Sequence, residues 1–455
     1  MSFDSARVGT LAESQAAIPA LTEEDRKRAT DRSRVLLARQ RGHSRLLLWL
    51  LIGPGILVML GENDAPSMIS YAQTGAQYGI SFFIPFIALT FLMAYVVQEM
   101  TVRLGAVTHR GHAEMIFTRF GPFWGWFSLG DLGIGNFLTL ITEFIGIRAG
   151  LSYFGVPPLL SVGASVILIV AATATARYWT WERIALGLAI FNGVFVPTAI
   201  LAHPNWGSVA LTFVKWGPLP GGLNNSVIFL LIADIGATVT PWMLFFHQSA
   251  VTDKGLTKHD LRHGRFDTAL GAALAATFAI AAVITTSVLF TKGVNTSSFG
   301  DADFAQHLEP IIGRVGATLF ALGIFEAGLV AAIAISTSSA YAFGEVLGTA
   351  RSHNRSLRDG LPFHLVLIVS AVSAAALVLW PGLPLVFFVL IVNVVAVLAM
   401  PPALILLLLM VNDRDIMGTW RNGRLGNVAA VTVTVFLVLA SVLFGISIIF
   451  PNLFG

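Results

Sequence analysis

The chain has 455 residues, 55% of them hydrophobic and only 12% charged, where a soluble globular protein carries about 25% charged residues. With a mean hydropathy of +0.77, most of it cannot face water, and no polar stretch is long enough to house a separate soluble catalytic domain. The absence of cysteine excludes disulfides, thiolate metal ligands and iron–sulfur clusters, and the net charge of +3 fits the basic loops of a membrane protein better than a nucleic-acid partner.

Residues 1–45 form a polar N-terminal arm without a signal peptide. Within it, residues 21–41 (LTEEDRKRATDRSRVLLARQR) are expected to be a short basic helix or a disordered, solvated tail that holds orientation. From Leu46 onward apolar runs of about 20 residues recur, each long enough to cross a hydrocarbon core about 30 Å thick. They predict eleven spans, at 46–75, 79–102, 123–151, 157–176, 183–202, 224–250, 267–291, 311–342, 362–380, 384–411 and 427–450. The expected fold class is all-α integral membrane, with residues 46–450 as one transmembrane domain.

Placing the N-terminus in the cytoplasm puts 24 of the 28 Lys and Arg in cytoplasmic segments and leaves only Lys215 and Lys292 in the opposite loops. Basic residues stay inside, so the chain is expected to be a multi-pass protein of the inner (plasma) membrane, with its N-terminus cytoplasmic and its C-terminus outside. Its surroundings are then the lipid bilayer, and it is expected to act as a monomer.

Two spans are interrupted. The first carries Gly53-Pro54-Gly55 near its start and Gly61-Glu62-Asn63-Asp64-Ala65-Pro66-Ser67 at its centre; the sixth carries Gly236 and Pro241 at its centre. Proline removes a backbone donor and clashes with the preceding turn. Unwound backbone at that depth survives only where it is buried in protein or lines a cavity. Five spans separate the two breaks, so the chain divides into a repeat at 46–202, an inverted repeat at 224–411 and an extra helix at 427–450. Matched broken helices in inverted repeats point to the midplane site of a secondary transporter.

A carboxylate at the bilayer centre costs about 3 kcal/mol or more. Asp64, with Glu62 close by and no neighbouring Lys or Arg, therefore calls for a cation. Asn63 adds an amide oxygen, Thr240 a hydroxyl, and the unwound stretch at Ala237 backbone carbonyls, all hard oxygen donors. Asp234 is placed in the vestibule. In the third span Asp131 is expected to face an aqueous path, beside Asn136, while Glu143 can pair with Arg148. Asn393 in the tenth span suits hydrogen bonding between helices, Glu326 in the eighth has no assignable partner, and His247 and Gln248 are candidate gate or interface residues. No Walker loop, HExxH, GxSxG or Rossmann fingerprint stands in a credible context, so neither ATP-driven transport nor an enzyme activity is expected.

The strings GPGILVMLGENDAPSMISYAQTGA, GATVTPWMLFFHQSAVTDKG, NFLTLITEFIG and VNDRDIMG resemble the NRAMP (natural resistance-associated macrophage protein) metal transporters, over residues 46 to about 425. The resemblance implies a LeuT-like fold with broken first and sixth helices. The family's Asp-Pro-Gly-Asn falls on Asp64-Ala65-Pro66-Ser67, its Met-Pro-His on Thr240-Pro241-Trp242, and a tenth-span glutamine on Asn393. This makes Ser67 and Asn393 candidate ligands beside Asp64, Asn63, Ala237 and Thr240. The methionine has become Thr240 and the histidine linked to the proton path Trp242. Oxygen donors suit Mg2+, Ca2+ and Mn2+, whereas sulfur and imidazole favour transition metals. The pattern resembles the NRAMP-related magnesium transporter branch, which implies uptake of partly hydrated Mg2+ with Mn2+ as a second substrate, the metal being cargo and no cofactor being needed. A proton-coupled Mn2+ or Fe2+ importer and an amino-acid symporter of the same architecture are the alternatives.

Overall fold

Hydrocarbon offers no hydrogen bonds, so a chain this apolar must satisfy its backbone within helices. The computed structural model describes residues 23–173, 178–296, 299–300, 302–348, 361–382 and 385–453, and all the regular structure among them is helical. In chain order the helices are α1 (Glu23–Gln40), α2 (Ser44–Leu51), α3 (Pro54–Gly61), α4 (Ala65–Tyr78), α5 (Phe83–Thr108), α6 (His112–Phe120), α7 (Pro122–Ser152), α8 (Pro158–Thr173) and α9 (Tyr178–Ala189). A 3₁₀ turn at Ile190–Val194 joins α9 to α10 (Phe195–Leu201). There follow α11 (Trp206–Val214), α12 (Asn225–Gly236), α13 (Pro241–Lys254), α14 (Leu261–Thr291), α15 (Asp303–Val346, bent at Gly313), α16 (Leu361–Val378), α17 (Leu385–Asn412), α18 (Arg414–Met417) and α19 (Arg424–Ile449).

Eight stretches are long and apolar enough to cross a membrane, and two shorter apolar helices, Pro158–Ala172 and His364–Val378, accompany them. With the broken pair α3 and α4, these make up the eleven expected spans among the described residues. The first span is cut twice, at residues 52–53 and 62–64, where a single central break was expected.

Helices meet closely where side chains are small. A Cβ on Gly146 of α7 would stand 2.0 Å from that of Ala65, and one on Gly328 of α15 would stand 2.7 Å from the Glu143 carbonyl. Small residues let backbones approach in this way, which packs α15 along α7 with α4 beside both.

The end of the bundle near Ile52 is polar but closed. The Asp267 carboxylate of α14 accepts from the backbone N–H of Gly53 (3.0 Å), Gly55 (2.7 Å) and Ile56 (3.3 Å). It thereby satisfies donors that the first turn of α3 would otherwise leave orphaned. Lys254 donates to Glu182 (2.7 Å) and to the Ile52 carbonyl (2.7 Å), with both charged side chains wholly buried. The expectation of a solvated N-terminal tail needs correction for its described part. In α1, Arg32 donates to Asp260 (3.0 Å) and Thr257 (3.1 Å), and Arg39 also bonds to Asp260. A buried carboxylate at Asp260 needs that positive charge, so α1 docks on the α13–α14 corner. Residues 1–22 of the arm, and the basic residues within 349–360, lie outside the described residues.

Truncating one partner of the Lys254–Glu182 pair leaves an uncompensated buried charge. Lys254→Ala is expected to cost about 3–5 kcal/mol, read as a lower melting temperature in detergent. Lys254→Met combined with Glu182→Leu should recover most of that loss; an unaltered melt for Lys254→Ala would contradict the buried pair.

Candidate functional site

The central breaks cut two spans into halves too short to cross a bilayer. Pro66 and Pro241 stand in the first turns of α4 and α13, where a missing N–H costs nothing. Asp64 caps α4 by accepting from the Ser67 N–H (2.8 Å), the ordinary role of an aspartate at a helix start. Thr240 stands at the same position before α13 but makes no cap. Its hydroxyl donates instead to Glu62 (2.7 Å) and so ties one break to the other.

Other elements close around them. The Tyr71 hydroxyl donates to the Ala237 carbonyl (3.1 Å) and lies 2.9 Å from the Thr238 hydroxyl, which donates to the Asp234 carbonyl (3.0 Å). Glu143 of α7 accepts from the Ala65 N–H (3.1 Å), which sets its carboxyl against Asp64. Asn63 donates to the Ala275 carbonyl (2.9 Å) and Asn393 to the Pro66 carbonyl (3.2 Å). A Cβ on Gly236 would stand 1.8 Å from the Asn393 carbonyl oxygen, so only glycine lets α17 come this near. Trp242 fills the remaining space: a Cβ on Gly61 would stand 2.9 Å from its ring, and its carbonyl accepts from Ser338 (3.1 Å).

Glu62, Asn63, Asp64, Ser67, Ala237, Thr240 and Asn393 thus come together, none more than 4% exposed. Among the described residues, four buried oxygens on these residues and Glu143 have no hydrogen-bond partner: Glu62 Oε2, Asn63 Oδ1, Ser67 Oγ and Glu143 Oε1. Among the described residues, no three His, Cys, Asp or Glu side chains form a ready-made metal cluster. Any ion held here would therefore rely on mixed donors. A cavity lined by Asn136, Thr139, Thr240, Pro241, Trp242 and Ala396 reaches this point between α7, α13 and α17.

Two expected placements are corrected. Glu143 does not pair with Arg148, which donates to the Val378 carbonyl (3.2 Å), because Glu143 faces the break instead. Asp234 is no vestibule residue: fully buried, it accepts from Ser70 (2.8 Å) and Thr74 (2.8 Å) and pins α12 to α4. Asp131 lies twelve residues before Glu143 on α7, about 18 Å along the helix, and so stands apart from the breaks. His247 bonds to Gln98 (2.6 Å) and Gln248 to His112 (2.7 Å), which makes both interface residues. Tyr71 was not singled out from the sequence, where it stands among the polar residues Ser70, Gln73 and Thr74 of the first span.

The family described as Natural resistance-associated macrophage protein-like matches residues 55–447. The chain belongs to the Nramp family. Members are transporters, so this Nramp chain is a transporter and not an enzyme. The divalent metal cation transporter MntH of Aeromonas hydrophila is 25% identical over 380 residues, which cover 82% of this chain and 89% of the relative. MntH 1 of Pseudomonas aeruginosa is 28% identical over 400 residues, with coverage of 83% and 87%. Among solved structures, the Eremococcus coleocola manganese transporter superposes with a TM-score of 0.70 at 20% identity, covering 87% of this chain and 86% of that one. A Na+-coupled sialic acid symporter shares the architecture more loosely, with a TM-score of 0.55 at 13% identity and coverage of 86% and 89%. These likenesses bear out the LeuT-like fold, and Nramp membership separates the chain from amino-acid symporters built the same way.

Asp234 offers a test of structural against substrate-binding roles. Asp234→Ala strands two buried hydroxyls, and is expected to cost about 2–4 kcal/mol in thermal unfolding. Substrate affinity, measured by calorimetry on the purified protein, should change little. A large loss of affinity at unaltered stability would move Asp234 into the binding site.

Proposed function

We propose that this Nramp chain carries divalent metal cations across the membrane, binding a partly hydrated ion between the two helix breaks. The observation that carries the reading is the set of buried oxygens on Glu62, Asn63, Ser67 and Glu143 that have no hydrogen-bond partner among the described residues, gathered about Asp64. Among the described residues no Lys or Arg bonds to any of them. The carboxylate and amide oxygens only accept and are balanced by a cation, to which the Ser67 hydroxyl can also turn a lone pair, and oxygen ligands suit hard divalent ions. Asp64, Ser67, Asn63 and Thr240 are the side chains we assign to the ion. Asn393 and the Ala237 carbonyl already hold one protein bond each and complete the wall.

Mn2+ is supported as cargo by the relatives, which are divalent metal cation and manganese transporters. Mg2+ is supported by Thr240, which offers a hydroxyl and no sulfur at the start of α13. We read the bias of basic residues as placing the N-terminus in the cytoplasm, and a single chain contains every residue assigned to the site. A second reading, proton-coupled import of Mn2+ or Fe2+, is favoured by the same manganese-transporting relatives and by the buried Glu62 and Glu143 at the break. Trp242 weighs against it at its own position, since an indole carries no proton.

Flux into proteoliposomes, comparing Mg2+, Mn2+, Ca2+ and Fe2+ with internal pH recorded, separates the two readings. Asp64→Ala should abolish flux of every ion while the protein still folds; wild-type rates in that variant would remove Asp64 from the site.

Selectivity is tested at Thr240. Thr240→Met is expected to weaken Mg2+ relative to Mn2+ in competition flux, and adding Ser67→Asn should widen the gap. A tenfold shift corresponds to about 1.4 kcal/mol, within reach of one exchanged ligand. An unaltered preference in the double variant would show that selectivity lies elsewhere, for example in the cavity width set by Trp242.

A further inference from the structure

The span formed by α9 and α10 is not a continuous α-helix. Pro197 lies four residues after Gly193, so the Gly193 carbonyl has no α-helical donor and meets the proline ring. The helix tightens into the 3₁₀ turn Ile190–Val194, and the Phe195 N–H bonds to the carbonyls of Asn192 and Gly193. A 3₁₀ stretch inside a longer helix often marks a functional point. Asn192 stands in this turn at 1% exposure, and neither its amide nitrogen nor its oxygen has a hydrogen-bond partner.

The facing helix is α15. A Cβ on Gly323 would stand 2.7 Å from the Phe195 ring and 2.9 Å from Val194, and Phe195 meets Phe320 edge-on at 5.6 Å. The two spans run antiparallel. Tyr178 and Glu182 at the start of α9 join Lys254, while Tyr341 near the end of α15 joins the adjacent Asp253 (3.0 Å). From Phe195 back to Asn192 is one 3₁₀ turn, about 6 Å toward the Lys254 end. From Gly323 on to Glu326 is three α-helical residues, about 4.5 Å toward the same end and on the same face. Asn192 and Glu326 therefore lie on apposed surfaces at one depth. Glu326 is 5% exposed, and neither carboxyl oxygen has a partner.

Among the described residues no base bonds to it. The ionisable residues nearest on the elements packed against this face are Glu182, which bonds to Lys254, and Asp267, which holds the start of α3. Glu62, Asp64 and Glu143 lie at similar depth across α15, and all three are acids; Arg148 is committed to the Val378 carbonyl. An uncompensated carboxylate at such depth is expensive and marks an ion or proton path. Two carboxyl oxygens and one amide oxygen suit a small hard cation; a protonated Glu326 would instead donate to the Asn192 oxygen.

We propose that Glu326 and Asn192 form a second cation site between α15 and the 3₁₀ turn, which takes one monovalent cation, a proton or Na+, and couples it to transport. The proposal rests on the transporter reading above and names a place for its driving ion away from the two breaks.

The full chain in proteoliposomes, loaded with Mn2+ outside, tests it with one arm under an inward proton gradient and one under an inward Na+ gradient. A tenfold gradient coupled one for one should raise steady-state accumulation of Mn2+ about tenfold in one arm, which identifies the ion. Glu326→Gln should bring that ratio down to about 1, and Asn192→Ala should lower it. Wild-type accumulation indifferent to both gradients overturns the proposal, as does a ratio unaltered in Glu326→Gln. A second readout needs no flux: in detergent without Mn2+, the identified ion should raise the melting temperature of the wild type and of Asn192→Ala at higher concentration, but not that of Glu326→Gln. Equal stabilisation of all three also overturns it. Failure of the wild type to carry any divalent ion would instead sink the transporter reading itself.

Discussion

Each unpaired peptide group in hydrocarbon costs several kcal/mol, and this chain opens its backbone twice at the centre of a bundle. The contacts around residues 62–64 and 237–240 answer that constraint. Tyr71 takes up the Ala237 carbonyl, Glu143 takes up the Ala65 N–H, and Asn393 takes up the Pro66 carbonyl. These three side chains come from three different spans, so the breaks are stable only in the assembled bundle. The glycines follow from the same demand. Gly236, Gly146 and Gly328 hold α17, α7 and α15 close enough for such short side chains to reach.

Once those repairs are made, the remaining imbalance is one of sign. The groups left over at the breaks are mostly acceptors, the carboxyl oxygens of Glu62 and Glu143 and the amide oxygen of Asn63, beside the Ser67 hydroxyl and the Trp242 indole N–H, which can donate. A surplus of oxygen lone pairs in a dry interior is a standing attraction for positive charge. It gives the reading as a cation carrier a physical basis independent of family likeness.

Much of this was legible in the sequence, and the reasons differ by residue. Proline and glycine act through the local backbone, so the two breaks could be placed from the strings around Pro66 and Pro241, with Asp64 at the first of them. Partners across the bundle could not. Glu143 and Arg148 are opposite charges close in sequence on one helix, which suggested a pair, but five residues apart they do not share a face, and Glu143 instead takes up the Ala65 N–H. Asp234 read as a vestibule acid because its partners Ser70 and Thr74 belong to a span far away in sequence. The docking of α1 depended on Asp260, whose burial no local pattern announces. Asn192 carried no signal beyond the Gly193 to Pro197 spacing that distorts its helix.

The grip of Asp267 on α3 has a mechanical corollary. An eight-residue helix is about 12 Å long, so a tilt of about 20° hinged at residues 62–64 would carry the Gly53 tip about 4 Å sideways. That is more than the length of a hydrogen bond, and the amides of Gly53, Gly55 and Ile56 would part from Asp267, the tip moving farthest. The short helix is thus a lever with a catch at its tip: held, it keeps the Ile52 end of the bundle shut, and released, it swings as a rigid arm.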